Sequence, residues 1–181
     1  AQPRGSRPAR PRRRAGGALC VPRDPPMRAD AYAFTRALPP YCCAILRSAA
    51  TGLLLVEERP ADAKVAAGPL TCFGGKREPG ETAEAAVLRE LAEELGGWAP
   101  AEVNLRRAVD LYVDGALIAY FYEADGPGDD VALSFEPGRQ GLWMAPDALA
   151  SDARLSVWHS AVLRAWARGD RRADYDSAGE G

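Results

Sequence analysis

Histidine, cysteine and long apolar runs are scarce in this chain of 181 residues, and each scarcity excludes a class of protein. One His and four Cys, without any Cys-x-x-Cys spacing, provide no Cys/His set for a zinc site. Apolar runs such as residues 42–46 are far shorter than the roughly 20 residues that a membrane-spanning helix needs. Because 47% of the residues are hydrophobic, we expect one globular domain with a substantial core, reduced thiols and a cytoplasmic location.

Acidic residues are almost absent from the first part of the chain. Residues 1–28 contain eight Arg and one Asp, a net charge of +7, which leaves −9 for the rest because the whole chain carries −2. The segment is rich in Pro, Gly and Ala and has no hydrophobic period, so we predict a disordered leader over residues 1–37. A natural start at Met27 is one interpretation of it. An arm for nucleic acid is another, which we disfavour because the segment has no Lys and no interleaved aromatics.

Hydrophobic periodicity predicts a mixed α/β domain over residues 38–170, followed by a flexible tail at 171–181. The Asp114-Gly115 pair suits a type I′ turn and predicts a β-hairpin around it. Residues 57–72 and 125–141 are rich in turn formers, and we expect loops there. The predicted strands are residues 41–46, 53–56, 109–113, 116–124 and 142–144, and the predicted helical segments are residues 82–95, 146–149 and 156–168.

Three carboxylates recur at helical spacing in the middle of the chain. Glu90, Glu93 and Glu94 are spaced i, i+3 and i+4, so a helix places them on one face, where like charges repel. No basic residue lies four positions ahead of any of them, and Arg89 lies about 100° round the helix from Glu90. A salt-bridged surface helix therefore does not account for the pattern. The paired glycines Gly74-Gly75 lead into this segment, and a bound hard divalent cation is the simplest explanation.

The segment from Gly75 to Gly97 resembles the signature of the Nudix hydrolases. It reads glycine, five residues, Glu81, seven residues, then Arg-Glu-aliphatic-any-Glu-Glu-any-Gly-aliphatic. Every charged and glycine position is present, and only the last position departs, because Gly97 replaces an aliphatic residue. The resemblance implies the Nudix fold, an α/β/α sandwich with a mixed central β-sheet and the signature loop-helix-loop. Through the order of predicted elements it extends to residues 38–168.

The resemblance also implies an activity, which is hydrolysis of a nucleoside diphosphate linked to a group X with Mg²⁺ or Mn²⁺ as cofactor. It gives the metal ligands as the carbonyl of Gly74 and the carboxylates of Glu90, Glu93 and Glu94. Glu90, Glu94 and Arg89 are expected to form the catalytic set. Arg89 is expected to act as a bracket that holds a helix carboxylate in place.

Further site residues follow less directly from the signature. Glu81 and Glu136 are candidate accessory carboxylates, although a loop Glu is equally well explained as a solvated residue. Lys76 and Arg59 flank the glycine loop and are candidate phosphate-binding residues, as are Arg77 and Lys64, although charged residues near a turn are usually solvated.

Aromatic residues and the single His have structural explanations at least as good as functional ones. Tyr120, Phe121, Tyr122 and Trp143 could stack on a base, but aromatics that alternate on strands more often belong to a core. His159 shows no partner in the sequence, and we interpret it as a helix residue.

The substrate is the least defined part of the prediction. A modified or oxidised nucleoside triphosphate, cleaved to the monophosphate and pyrophosphate, is favoured mainly because marks of other Nudix branches are absent. Hydrolysis of a nucleotide sugar or a dinucleotide polyphosphate, or a non-catalytic nucleotide-binding module, stay open. The expected partner is a small nucleotide, with no membrane and no nucleic acid; a homodimer is compatible with the sequence.

Overall fold

A computed structural model describes residues 38–60, 69–96, 98, 104–128 and 131–179. The leader predicted over residues 1–37, with Met27 and Cys20, lies outside the described residues, as do Lys64 and Gly97. Among the helices in the described part of the chain, none is both long and apolar enough to cross a membrane.

The described residues form one mixed β-sheet with α-helices on both faces. The strands are β1 Tyr41–Arg47, β2 Leu54–Glu58, β3 Leu70–Thr71, β4 Phe73–Lys76, β5 Arg106–Val113, β6 Ala116–Asp125, β7 Gln140–Met144 and β8 Arg172–Tyr175. The α-helices are α1 Ala83–Glu94, α2 Pro146–Ala150 and α3 Val157–Arg168. The sheet order is β3-β2-β1-β6-β5-β8, with β4 paired to β1 and β7 paired to β2.

Strand β1 organises the sheet because it pairs with three other strands. On one side β6 runs parallel to it along its whole length. On the other side its first half pairs antiparallel with β4, from Tyr41 opposite Lys76 to Ala44 opposite Phe73. Its last residues pair with β2 instead, where Leu46 lies opposite Leu55. The β1–β2 hairpin therefore opens after a short contact, and β4 takes the place of β2 beside β1.

Alternation along β1 and β6 sends side chains into two separate cores. One core packs against α3 and contains Cys43, Ile45, Ala119 and Phe121 together with Val162 and Leu163. The other packs against α1 and contains Cys42, Ala44, Tyr120 and Tyr122 together with Val87 and Leu91. Helices thus cover both faces of a mixed sheet, which confirms the predicted α/β/α class. The three described cysteines are buried free thiols, as expected for strand packing.

Several predicted elements appear where the sequence placed them. Helix α1 begins after Thr82, whose Oγ1 accepts a hydrogen bond from the amide of Ala85 at 3.1 Å. Helix α3 ends at Gly169, which adopts a left-handed conformation with φ of +78°. Strands β5 and β6 form the hairpin predicted around Asp114-Gly115.

Three segments differ from the prediction. The glycine loop expected around Gly74-Gly75 is strand β4, which pairs with β1. Residues 57–72 contain the end of β2, strand β3 and the short link to β4, where we expected only loops. The tail was expected to be flexible from residue 171, but β8 pairs in parallel with β5, with Ala173 buried opposite Leu111. The polar sequence of β8 has no apolar stripe of its own; pairing with β5 and the burial of Ala173 in the core beside α3 account for its order.

Truncation after Asp170 tests the contribution of β8. Removal of this strand exposes the edge of β5 and the contacts of Ala173, so we expect the free energy of unfolding to fall by on the order of 1–3 kcal/mol. Urea denaturation of the full chain and the truncated chain measures this difference. Truncation after Asp176 keeps β8 and serves as the control; equal transition midpoints for all three chains would contradict a structural role for the strand.

Candidate functional site

Two glycines of β4 bring the backbone of this strand against the acidic face of α1. Gly74 has φ of +130°, and a Cβ at this position would lie 2.4 Å from the carbonyl oxygen of Cys42. A Cβ at Gly75 would lie 2.6 Å from the Cδ atom of Glu90. The Gly74 amide donates a hydrogen bond of 2.8 Å to Oε2 of Glu94. At Gly74 the clash would be with backbone, so only glycine fits; at Gly75 a Cβ would displace the Glu90 carboxylate from the strand.

Arg89 connects β4 with three carboxylates. Its Nε and Nη2 donate to the two oxygens of Glu81 at 3.0 and 3.1 Å. Its Nη1 donates to Oε1 of Glu90 at 2.8 Å and to Oε2 of Glu93 at 3.2 Å, while Nη2 also donates to the carbonyl oxygen of Lys76 at 3.1 Å. The two bonds from Arg89 to Glu81 lower the pKa of the Glu81 carboxyl. Arg89 therefore gives the acidic face a cation that the helical spacing did not predict, because its long side chain reaches around the helix.

A further carboxylate, which the sequence analysis did not identify, lies beside Glu94. The side chain of Glu57, near the end of β2, is only 4% exposed. Arg139 immediately precedes β7. Its Nη1 donates to Oε1 of Glu57 at 2.5 Å and to Oε1 of Glu94 at 3.3 Å. Thr71 Oγ1 donates to Oε2 of Glu57 at 3.4 Å. The strand period of β2 was the available signal, since Glu57 follows Leu55 on the same face.

Negative charge dominates the surroundings of Glu94. Burial raises the pKa of its carboxyl to about 8, and the charges of Glu57 and Glu90 add to the increase. The hydrogen bond from Gly74 and the charge of Arg139 oppose it without cancelling it. Burial is the main cause of the raised pKa; because the carboxylates of Glu57 and Glu90 add to it, a cation placed among the three would favour the ionised form of Glu94.

The carboxylates of Glu57, Glu90 and Glu94 border a cavity of about 300 Å³. Its polar lining includes Glu57, Arg59, Thr71, Lys76, Glu90, Glu94, Arg139 and His159, together with Gly74 and Gly75. Its apolar lining includes Tyr41, Leu111, Ile118, Ala119, Phe121 and Trp158. This volume and mixed lining suit a small ligand that has both a charged part and an apolar, planar part.

The structure brings only some of the predicted site residues to this cavity. Gly74, Glu90, Glu94, Lys76 and Arg59 line it. Glu81, Glu93 and Glu136 are not among its lining residues; Glu93 is 60% exposed and Glu136 is 72% exposed and paired with Arg139 at 3.3 Å. Arg77 bonds to the carbonyl oxygens of Pro39 and Glu81 instead of facing the cavity.

Within the described residues, no three His, Cys, Asp or Glu side chains are already gathered as a metal-ligand set. Arg89 and Arg139 each contact carboxylate oxygens that a metal ion would need. The chemistry of the donors nevertheless fits a hard cation, since Glu90, Glu94 and the Gly74 backbone provide oxygen ligands at one place.

The aromatic residues considered for base stacking have different positions. Tyr120 and Tyr122 belong to the core under α1, and Trp143 packs against the same core. Phe121 is buried in the other core and lines the cavity. Trp158, in the first turn of α3, lines the cavity as well.

His159 lies in the first turn of α3 and is 7% exposed. Its Nδ1 accepts a hydrogen bond of 2.8 Å from the amide of Cys72, and its ring meets Phe121 edge-on at 5.2 Å between centroids. Burial lowers the pKa of His159 to about 4, so the ring is neutral and carries its proton on Nε2. Its role in the described structure is to fix the segment that precedes β4.

Comparisons with known proteins identify a family. A sequence model of the NUDIX domain matches residues 38–166. The MutT NUDIX hydrolase from Burkholderia pseudomallei is 30% identical, with a TM-score of 0.52, over 68% of this chain and 94% of that one. The E. coli ORF135 protein is 26% identical, with a TM-score of 0.51, over 71% and 87%. The MutT protein from Methanosarcina mazei Go1 is 19% identical, with a TM-score of 0.55, over 74% and 97%, and supports the fold alone. No curated protein matches the chain by sequence.

His159→Asn tests the titration of the buried imidazole. The folded pKa of about 4 lies below the ordinary value of 6.5, so the unfolded chain binds the extra proton between these values. The stability contributed by the neutral ring is complete above pH 6.5 and is lost as the pH falls through 4. Asn retains an acceptor for the Cys72 amide but does not titrate. Between pH 7 and 4 we expect the wild-type chain to lose about 3 kcal/mol more than the variant.

Urea denaturation at pH 7, 5.5 and 4 provides the measurement. Parallel pH profiles for the two chains would show that His159 is not buried as a neutral ring.

Proposed function

The chain belongs to the Nudix family, and on this premise we propose that it is a divalent-metal-dependent hydrolase of a nucleoside diphosphate linked to a group X. The observation that carries the proposal is the convergence of Glu90 and Glu94 with the Gly74-Gly75 strand beside a cavity of about 300 Å³. Mg²⁺ or Mn²⁺ is the proposed cofactor, because both prefer the oxygen donors available there.

The proposed ligands are Glu90, Glu94 and the carbonyl of Gly74. Glu93, which accepts a hydrogen bond from Arg89, is proposed as a further ligand. When bound, the ion polarises phosphoryl oxygens and lowers the pKa of the attacking water. A cation beside Glu94 would favour its ionised carboxylate against the burial that raises its pKa.

The neighbouring side chains have positioning roles in this proposal. Arg89, fixed by both oxygens of Glu81, holds Glu90 against the glycine strand. Glu90 and Glu94 are the candidates to accept the proton of the attacking water, because both line the cavity. Lys76 and Arg59 also line the cavity, and their positive charges would bind the phosphate groups of the substrate.

The proposed substrate is a modified or oxidised nucleoside triphosphate, cleaved to the monophosphate and pyrophosphate. Similarity to the Burkholderia pseudomallei MutT NUDIX hydrolase supports a hydrolase of this family, and a triphosphate is favoured because marks of other Nudix branches are absent from the sequence. Phe121 and Trp158 give the cavity the apolar surface that a base would need. We propose a cytoplasmic location as well, which the free thiols Cys42, Cys43 and Cys72 support.

A substrate panel tests the proposed function. The chain is incubated with nucleoside triphosphates, nucleotide sugars and dinucleotide polyphosphates, each with Mg²⁺ and with excess chelator, and the released pyrophosphate and monophosphate are quantified. We expect metal-dependent release of pyrophosphate from a triphosphate. Turnover of a nucleotide sugar or dinucleotide polyphosphate alone would identify one of the alternative substrates, and no turnover of any compound would favour a non-catalytic nucleotide-binding module.

Glu94→Gln tests the assignment of the central carboxylate. The amide is a poor cation ligand and cannot accept a proton, so we expect kcat to fall about 100-fold or more. Without metal at pH 8 the variant should be as stable as the wild type or slightly more stable, because one buried charge near Glu57 and Glu90 is removed.

Glu84→Gln is the matched control for this experiment. Glu84 lies on the same helix but accepts a hydrogen bond of 2.9 Å from the Tyr122 hydroxyl and is not among the cavity residues, so its substitution should leave turnover unchanged. A wild-type rate for Glu94→Gln would refute the assignment.

A further inference from the structure

Glu57 is a buried carboxylate that the Nudix signature does not include. It lies on β2, 33 positions before Glu90, and its side chain is 4% exposed. A buried charge is costly unless cations and hydrogen bonds compensate it. Its position among the cavity residues, together with Glu90 and Glu94, suggests a reason for its burial beyond packing.

Arg139 places one positive nitrogen between two carboxylates from different elements. The same Nη1 atom contacts Oε1 of Glu57 at 2.5 Å and Oε1 of Glu94 at 3.3 Å. A divalent cation bound by these carboxylates would have the same relation to them, a positive centre shared by two oxygens. The guanidinium therefore stands where a cation is electrostatically favoured.

The side chain of Arg139 is more exposed to solvent than those of its two partners. Its side chain is 28% exposed, against 4% for Glu57 and 15% for Glu94. Its Nε also contacts Oε2 of Glu136, a 72% exposed carboxylate, at 3.3 Å. The guanidinium thus has contact with solvent and an alternative acidic partner at the surface, so it can leave the buried carboxylates without losing every ion pair.

We propose that Glu57 is a further ligand of the cation centre, and that Arg139 is the internal counter-cation that a divalent ion displaces from Glu57 and Glu94. This inference rests on the proposed function, because it assumes that Glu94 binds the ion. Arg139 balances part of the charge of these carboxylates, and a divalent ion and the guanidinium would compete for the same two.

A purely structural role for Glu57 predicts a different outcome. If Glu57 serves only to anchor Arg139, its neutralisation loosens the arginine and leaves cation affinity unchanged or increased. If Glu57 is a ligand, its neutralisation weakens cation binding. Glu57→Gln separates these cases, because Gln has the same shape and can still accept the hydrogen bond from Arg139.

Direct binding of Mn²⁺ to the full chain without nucleotide provides the test, measured by calorimetry and by the EPR signal of free Mn²⁺. We expect Glu57→Gln to weaken Mn²⁺ affinity about 10- to 100-fold. Arg139→Gln should do the opposite: it removes the competitor, so affinity rises, while Tm without metal falls because Glu57 loses its shortest ion pair and keeps Thr71 and the longer contact with Arg59. The increase in Tm on addition of Mn²⁺ should therefore be larger for Arg139→Gln than for the wild type.

Glu58→Gln is the matched control, since Glu58 is adjacent on β2 but bonds to Gln140 and Arg154 and is not a cavity residue. It should bind Mn²⁺ like the wild type. Unchanged or tighter binding by Glu57→Gln, or weaker binding by Arg139→Gln, would overturn the inference.

The wild type and Glu94→Gln separate this failure from a failure of the proposed function. If the wild type binds Mn²⁺ and Glu94→Gln does not, but Glu57→Gln equals the wild type, only the role of Glu57 is wrong. If the wild type does not bind Mn²⁺, or if Glu94→Gln binds it equally well, the cation centre itself is wrong and this inference is overturned with it.

Discussion

The balance of charge where β4 meets α1 is the constraint on which the rest of the structure depends. Gly74 and Gly75 allow an approach so close that Glu94 accepts a backbone hydrogen bond and Glu90 lies against the strand. Carboxylates gathered in this way, with little access to water, are unfavourable unless positive charge shares the space. The contact between β4 and α1, which the fold needs for packing, therefore places carboxylates where a cation is favoured. A bound cation is also what the chemistry of the family needs.

The two arginines that place positive charge there connect different parts of the molecule. Arg89 bonds to Lys76, Glu81, Glu90 and Glu93, so it holds the signature loop and helix together as a local unit. Arg139 joins β2 and α1 to the segment before β7 through Glu57 and Glu94. Loss of the first would disturb the geometry of the signature, whereas loss of the second would remove the ion-pair link between Glu94 of α1 and Glu57 of β2.

Sequence predicts the parts of this structure whose partners are close in the chain. The Thr82 cap and the turn at Asp114-Gly115 depend on a few adjacent residues, and the signature depends on contacts within one loop and helix. Glu57 was missed because its partner Arg139 is 82 residues away, and periodicity reports burial without naming a partner. Strand β8 was missed because its order depends on pairing with β5 and on packing of Ala173 beside α3, both with residues distant in the chain.

The substrate is hard to predict for the same physical reason. The acidic centre comes from β4 and α1, whereas the apolar lining of the cavity comes from other elements, with Tyr41 on β1, Leu111 on β5, Phe121 on β6 and Trp158 on α3. These side chains are selected by core packing as well as by any ligand, so their identities carry little information about the ligand alone. Because the two sets lie on separate elements, the lining can change while the centre is kept. Family membership therefore constrains the bond that is cleaved more strongly than the group attached to it.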